Sequence, residues 1–312
     1  MFPGRQREVS FMTLSTESIN EIGTVGVIGV GVMGRCMVER LKNAGFTVAA
    51  YDPFPGAQAF IKEQGARLME RPADLAENAK LIVMSLPAPQ QVFDTLNAII
   101  EKITAQHVIV DTSTVSPETS REGARIVGTK GARYVDAPIL GRPSAAGNWL
   151  LPSGGPEEAI AFARPALETF AKAAIRVGDT GSGNVFKLLN QLMFSVINGI
   201  TSEVMALTDV MGIDRKVFYD VISSSGAATV SGLFKETAAR IVEDRYDTPT
   251  FTMELLCKDA GLGIQMAKDA GVSPLIAGFV QSINENAKGK GLAKQDTSSL
   301  SKVFMEYFAK ID

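Results

Sequence analysis

At 312 residues with 46% hydrophobic content, the chain is long enough for two domains with sizeable cores. Its 31 basic and 34 acidic residues give a formal charge of −3 and lie scattered, so there is no electrostatic footprint for nucleic acid or a membrane surface. Two distant cysteines, Cys36 and Cys257, and a single histidine, His107, exclude a disulfide framework, a metal cluster and histidine-based catalysis, and point to a reducing compartment.

Residues 1–21 carry Arg5, Arg7, Glu8, Glu17 and Glu21 and lack the apolar centre of a signal peptide. They read as a flexible extension. No apolar stretch reaches the ~20 residues needed to span a bilayer, so a cytoplasmic location is expected. Residues 22–30 are short, β-branched and uncharged, as a buried parallel strand is. The strand runs into Gly29-Val30-Gly31-Val32-Met33-Gly34, and a helix is predicted over 32–44. In that pattern Gly29 permits a tight turn, Gly31 admits a pyrophosphate to the main chain, and Gly34 lets helix and strand pack closely. The run, Val32 and Met33 included, is therefore assigned to dinucleotide binding, with the phosphates at the helix start. Asp52 closes the next strand, predicted at 47–52, where an acid would hydrogen-bond a ribose 2′-hydroxyl. A carboxylate there repels a 2′-phosphate and favours NAD over NADP.

Further strands are predicted at 80–86, 107–111, 133–137, 149–153 and 174–177, alternating with helices at 55–65, 72–79, 88–103, 116–128 and 156–170. Such alternation implies right-handed crossovers and a doubly wound, mostly parallel sheet of Rossmann type over 22–181. Ligands of these sheets bind beyond the carboxyl ends of the strands. The segments to inspect there are Leu86-Pro87, Asp111 to Thr114, and Asp136 to Arg142.

After residue 181 the strand signal ends. A long proline-free helix is predicted over 182–211, then helices at 214–224, 230–242, 252–270, 274–288 and 297–310. The second half, 182–312, is thus an all-helical domain for substrate binding and dimerisation, joined to the first through the long helix. Within that helix Lys187, Asn190 and Gln191 share one face. A carbonyl reduced by hydride needs a proton donor at its oxygen, and a lysine with a lowered pKa can supply it.

These pieces, taken in order, resemble a known family. Gly29-Val-Gly-Val-Met-Gly34, Ser85-Leu86-Pro87, Asp111-Thr-Ser-Thr-Val-Ser-Pro117, Asp136-Ala-Pro138, Gly181-Ser-Gly-Asn-Val-Phe-Lys-Leu-Leu-Asn190 and Lys258-Asp259 stand at the spacing of the β-hydroxyacid dehydrogenases of the 3-hydroxyisobutyrate dehydrogenase type. The resemblance covers about residues 22–310. It implies that Lys187 is catalytic and that Leu86 and Pro87 line the cofactor through their main chain. It also implies that Thr114 sits near nicotinamide and substrate, that Asn190 and Gln191 contact substrate, and that Lys258 reaches toward the cofactor. The active site would lie in a cleft between the two domains of a homodimer or homotetramer.

One loop departs from the family pattern. Relatives follow Asp-Ala-Pro-Val with Ser-Gly-Gly, whereas this chain reads Asp136-Ala137-Pro138-Ile139-Leu140-Gly141-Arg142. Gly141 and Arg142 are assigned to substrate binding, with Arg142 able to clamp a carboxylate, sulfonate or phosphate. The reading is an NAD-dependent oxidoreductase acting on a small anionic β-hydroxy acid or its aldehyde, without a metal. Among the alternatives, an NADPH-linked semialdehyde or glyoxylate reductase would carry Asn-Arg at Tyr51-Asp52. An imine reductase would commonly replace Lys187, and a non-catalytic dinucleotide-binding scaffold would have no use for it.

Overall fold

The structure, a computed structural model, describes residues 16–309 apart from 228 and 230. It divides into two compact units. The first comprises the described residues up to Ser113 together with Thr119–Gly183, and the second Thr114–Glu118 together with the described residues from Asn184.

The first unit is built on one sheet of eight strands: β1 (Thr24–Ile28), β2 (Thr47–Tyr51), β3 (Arg67–Leu68), β4 (Leu81–Met84), β5 (Val108–Asp111), β6 (Arg133–Asp136), β7 (Trp149–Gly154) and β8 (Ala171–Gly178). They lie in the order β3-β2-β1-β4-β5-β6-β7-β8. Pairing is parallel from β3 to β6, antiparallel between β6 and β7, and parallel again between β7 and β8. The strand order reverses at β1, which has β2 on one side and β4 on the other, and such a switch point opens a crevice at the carboxyl ends of the strands. The expected Rossmann-type sheet is therefore present.

Strands β4 and β5 are buried along their whole length, which explains the Val, Ile and Leu that fill all but their last positions, Met84 and Asp111. Helices α1 (Thr16–Ile22), α2 (Val32–Asn43), α3 (Pro55–Glu63), α4 (Pro72–Ala76), α5 (Pro89–Ile99), α6 (Pro117–Gly128) and α7 (Glu157–Phe170) connect and cover the strands. Proline opens α3, α4 and α5, where its missing N–H costs nothing and its fixed φ suits the first turn. Met37, Val38 and Leu41 of α2 and Ile160, Leu167 and Phe170 of α7 belong to one buried cluster with Val27, Val83, Val110 and Trp149.

The expected flexible extension needs correction at its end. Residues 16–21 form most of α1, and Ile19 and Ile22 pack on the sheet core. The rest of the extension lies outside the described residues. The two-residue β3 was also unexpected, being too short to show a period.

The second unit is helical: α8 (Ser182–Val210), α9 (Arg215–Ser224), α10 (Gly232–Val242), α11 (Met253–Asp269), α12 (Leu275–Ala287) and α13 (Leu300–Phe308). Side chains of Asp214, Ser231 and Thr252 cap α9, α10 and α11 by accepting from main-chain N–H groups three residues on. The predicted helix at 297–310 resolves into a 3-10 turn (Thr297–Ser299) followed by α13. No described helix is long and apolar enough to cross a membrane.

Candidate active site

Three loops of the first unit lie side by side, after β1, β4 and β5. Ile28 pairs with Met84, and Met84 with Asp111, so the residues that follow each strand emerge on one edge of the sheet. The loop after β1 is the glycine turn. Gly29 has φ +88°, and a Cβ there would lie 2.3 Å from Ser85 O. A Cβ on Gly34 would lie 2.0 Å from Gly29 O. Both glycines are required by the protein's own packing. Gly31 is different: a Cβ would meet nothing within 4 Å. Gly31 is the N-cap of α2, makes no side-chain cap bond, and is followed by a first turn with no acid. Val32 is exposed and Met33 packs against the core. The α2 start is therefore uncapped and open, as a site for a phosphate group needs.

Asp52 is buried just beyond β2. Its Oδ2 accepts from Val30 N–H at 2.7 Å and its Oδ1 from Phe54 N–H at 2.9 Å. The acid thus ties the glycine turn to the end of β2. Each oxygen keeps lone-pair capacity for one further donor. Leu86 N–H, after β4, donates to Ser113 Oγ at 2.9 Å. Pro87 beside it is exposed. Ser113 is anchored through its own N–H to Asp111 Oδ1 at 2.9 Å, and Tyr134 OH donates to Asp111 Oδ2 at 2.7 Å. Burial pushes the Asp111 carboxyl above its ordinary range, opposed by the hydrogen bonds from Ser113 and Tyr134. Asp111 therefore braces the Leu86–Pro87 turn from below, a duty shown only by contacts distant in sequence.

The loop that departs from the family pattern is held by Trp149. Leu140 pairs with Leu150, and a Cβ on Gly141 would lie 2.3 Å from Trp149 Cδ1. The fully buried indole donates from Nε1 to Arg142 O at 2.7 Å. The main chain at Gly141 and Arg142 is fixed from the inside, and the Arg142 side chain is half-buried. Asp136 Oδ1 accepts from Gly181 N–H at 2.6 Å. Cβ atoms on Gly154 and Gly183 would come within 2.5 Å of Asp136 Oδ1 and Asp136 O, respectively. The glycine at position 183 is thus explained by close packing on Asp136.

In the second unit, Lys187 is half-buried on the second turn of α8, Asn190 is exposed and Gln191 is buried. Gln191 Nε2 donates to Asp259 Oδ2 at 2.6 Å. Lys258 Nζ lies 2.9 Å from Asp259 Oδ1 as an ion pair and donates to Thr114 O at 2.9 Å. Asn184 Oδ1 accepts from Val115 N–H at 3.2 Å. One buried carboxylate, Asp259, thereby connects Gln191 to Lys258, which itself donates to Thr114 O. Asp259 was read only as part of a motif, because a pairing across 68 residues leaves no mark in local spacing.

His107 is structural: Nδ1 accepts from Thr104 N–H at 2.9 Å and Nε2 donates to Ala76 O at 2.9 Å. Among the described residues no group of His, Cys, Asp and Glu is arranged to hold a metal ion.

Comparison with known proteins agrees with this geometry. Residues 24–178 match the family model described as the NAD binding domain of 6-phosphogluconate dehydrogenase. Residues 181–304 match that described as NAD-binding of NADP-dependent 3-hydroxyisobutyrate dehydrogenase. The mitochondrial 3-hydroxyisobutyrate dehydrogenase of Rattus norvegicus is 30% identical over 315 residues, covering 97% of this chain and 93% of the relative. The 2-(hydroxymethyl)glutarate dehydrogenase of Eubacterium barkeri is 28% identical, covering 90% and 94%. Among solved structures, 3-hydroxyisobutyrate dehydrogenase from Salmonella typhimurium superposes with a TM-score of 0.84 at 26% identity, covering 90% of this chain and all of the other.

Proposed function

Because the chain belongs to the β-hydroxyacid dehydrogenase family and is an NAD(P)-dependent oxidoreductase of CH–OH groups, we propose that it interconverts a small anionic β-hydroxy compound and its aldehyde or ketone, with NAD as preferred cofactor. Gly31 carries this reading. It is the glycine of the turn with no packing reason to be small, and it stands at an uncapped helix start where a pyrophosphate fits. The main chain of Gly29 to Gly34 would hold the pyrophosphate, Asp52 would meet the adenosine ribose, and Leu86 and Pro87 would line the nicotinamide. The bound nicotinamide supplies the hydride acceptor or donor at carbon.

The remaining chemistry belongs to side chains. In oxidation, Lys187 Nζ as free amine takes the hydroxyl proton while the adjacent carbon gives up hydride. In reduction, the ammonium returns that proton to the carbonyl oxygen. Asn190 presents an exposed amide whose N–H groups would donate to this oxygen, and Gln191 Nε2, with one hydrogen on Asp259, keeps its second for the same purpose. Lys258 and Thr114, joined through the Thr114 carbonyl, shape the reacting end. Arg142 receives the acid group, its main chain set by Trp149.

The enzyme would work as a homodimer or homotetramer. Phe186, Leu189, Met193, Ile200 and Leu207 leave an exposed apolar stripe along α8, at spacings suited to one face. An NAD reduction screen over β-hydroxy carboxylates, hydroxy sulfonates and β-hydroxy amino acids tests the assignment. Turnover is expected on at least one class in the parent and to be lost in Lys187→Ala. Turnover on none of them, or turnover that survives Lys187→Ala, would contradict it.

A further inference from the structure

A cavity of about 550 Å³ opens on the first unit between the later turns of α2 and the loop that follows Arg142. Its helical wall is Cys36, Glu39, Arg40 and Asn43, spaced to share one face. The opposite wall includes Pro143, Ser144 and Ala146. None of these residues has a part in the reaction above.

Arg40 is half-buried, yet its guanidinium has no ion pair or hydrogen bond among the described residues. Its five donors are therefore left for solvent or a ligand. The group is nonetheless held in place. A Cβ on Gly147 would lie 2.6 Å from Arg40 Nη1, 2.7 Å from Cζ and 2.9 Å from Nη2. Near-equal distances mean that the guanidinium plane lies flat against this glycine, which any side chain would displace. Gly147 itself has φ +94° and is tied through its N–H to Phe170 O at 2.8 Å, at the end of α7. A planar fork whose face is covered and whose edges are unpaired is pre-organised for a planar, bidentate acceptor.

We propose that this cavity is a second ligand site, taking a small monocarboxylate with a short aliphatic chain whose carboxylate sits on Arg40. The carboxylate of Glu39, exposed on the same wall, repels a second negative charge and so disfavours phosphate and dicarboxylates. Ala44, Pro143 and Ala146 provide apolar surface for a chain of a few carbons. An occupant would press on the segment continuing directly from Arg142, and so bear on the loop that faces substrate. The site needs no cofactor and no residue of the second unit, so it stands or falls apart from the proposed reaction.

Cys36 gives a local readout, because it is half-exposed in this cavity. The other cysteine, Cys257, is buried and its thiol is pushed up to about 12 by that burial, so it stays protonated and silent. The full-length enzyme without cofactor is labelled with iodoacetamide in sodium butyrate, against sodium chloride of equal ionic strength, and Cys36 modification is followed by mass spectrometry. The labelling rate is expected to fall at least threefold and saturably with butyrate, and Arg40→Gln to abolish the protection. Equal rates in butyrate and chloride, or undiminished protection in Arg40→Gln, would overturn the proposal. Should that variant fail to fold, Arg40→Lys keeps the charge and loses the fork. Its protection is expected to weaken severalfold, and full protection would equally overturn the site.

Discussion

Single atoms decide the cofactor turn. The three glycines of Gly29-Val30-Gly31-Val32-Met33-Gly34 look alike in sequence, but the structure separates them by what a methyl group would meet. Gly34→Ala drives a carbon to 2.0 Å from Gly29 O and is expected to destabilise the first unit by about 1–3 kcal/mol or more. Gly31→Ala meets nothing and should leave the melting temperature near that of the parent, while weakening cofactor binding at least tenfold, about 1.4 kcal/mol. Thermal melts and NADH fluorescence titrations on both variants check the split; equal effects on stability would refute it. Asp52 braces Val30 and Phe54, and the proposed function gives it a second duty, the choice between NAD and NADP. Asp52→Asn removes the charge and leaves an amide that can accept from one of those N–H groups. The NAD to NADP ratio of kcat/KM is expected to fall roughly tenfold, together with some loss of affinity for both cofactors. An unchanged ratio would remove Asp52 from cofactor choice.

Elements were legible in proportion to how regularly they bury. β4 and β5 are buried on both faces, so their Val, Ile and Leu runs declared themselves. The antiparallel join of β6 to β7 rests on the single register pair Asp136 with Gly154, which no periodicity records. α1 carries too little apolar pattern to stand apart from the polar segment around it, and Ile19 and Ile22 dock it. The same limit applies to the site: glycine turn, Asp52 and Lys187 were visible as local patterns. The Asp111 brace under Leu86 and the Asp259 link between Gln191 and Lys258 exist only once the chain is folded. The loop around Arg142 shows what such hidden support does. Trp149→Ala should cost about 3–5 kcal/mol through the void it leaves. Trp149→Phe keeps most of the packing and loses the bond to Arg142 O, about 0.5–1.5 kcal/mol. KM for the acidic substrate is expected to rise in Trp149→Phe with cofactor affinity unchanged, measured by steady-state kinetics. An equal loss of cofactor affinity would show that the indole supports more than the substrate loop.

At the scale of the whole molecule, the long helix α8 carries both the proposed proton-transfer group and an exposed apolar stripe. Along this helix Met193 and Ile200 are more than half exposed in the single chain. A 29-residue helix is about 43 Å long, enough for its stripe to contribute to the ~800 Å² per partner that a stable interface buries. Light scattering is expected to give a dimer or tetramer mass, and Met193→Lys combined with Ile200→Lys a monomer. A monomeric parent would leave the stripe without a role. The proposed catalysis rests on Lys187. Turnover and NADH affinity should be measured together in Lys187→Ala, on whichever hydroxy acid the parent oxidises. The expected result is a kcat loss of roughly 10²–10⁴-fold with cofactor dissociation unchanged. A kcat within a few fold of the parent would mean that the proton moves by another route, and the assignment of Lys187 would be wrong.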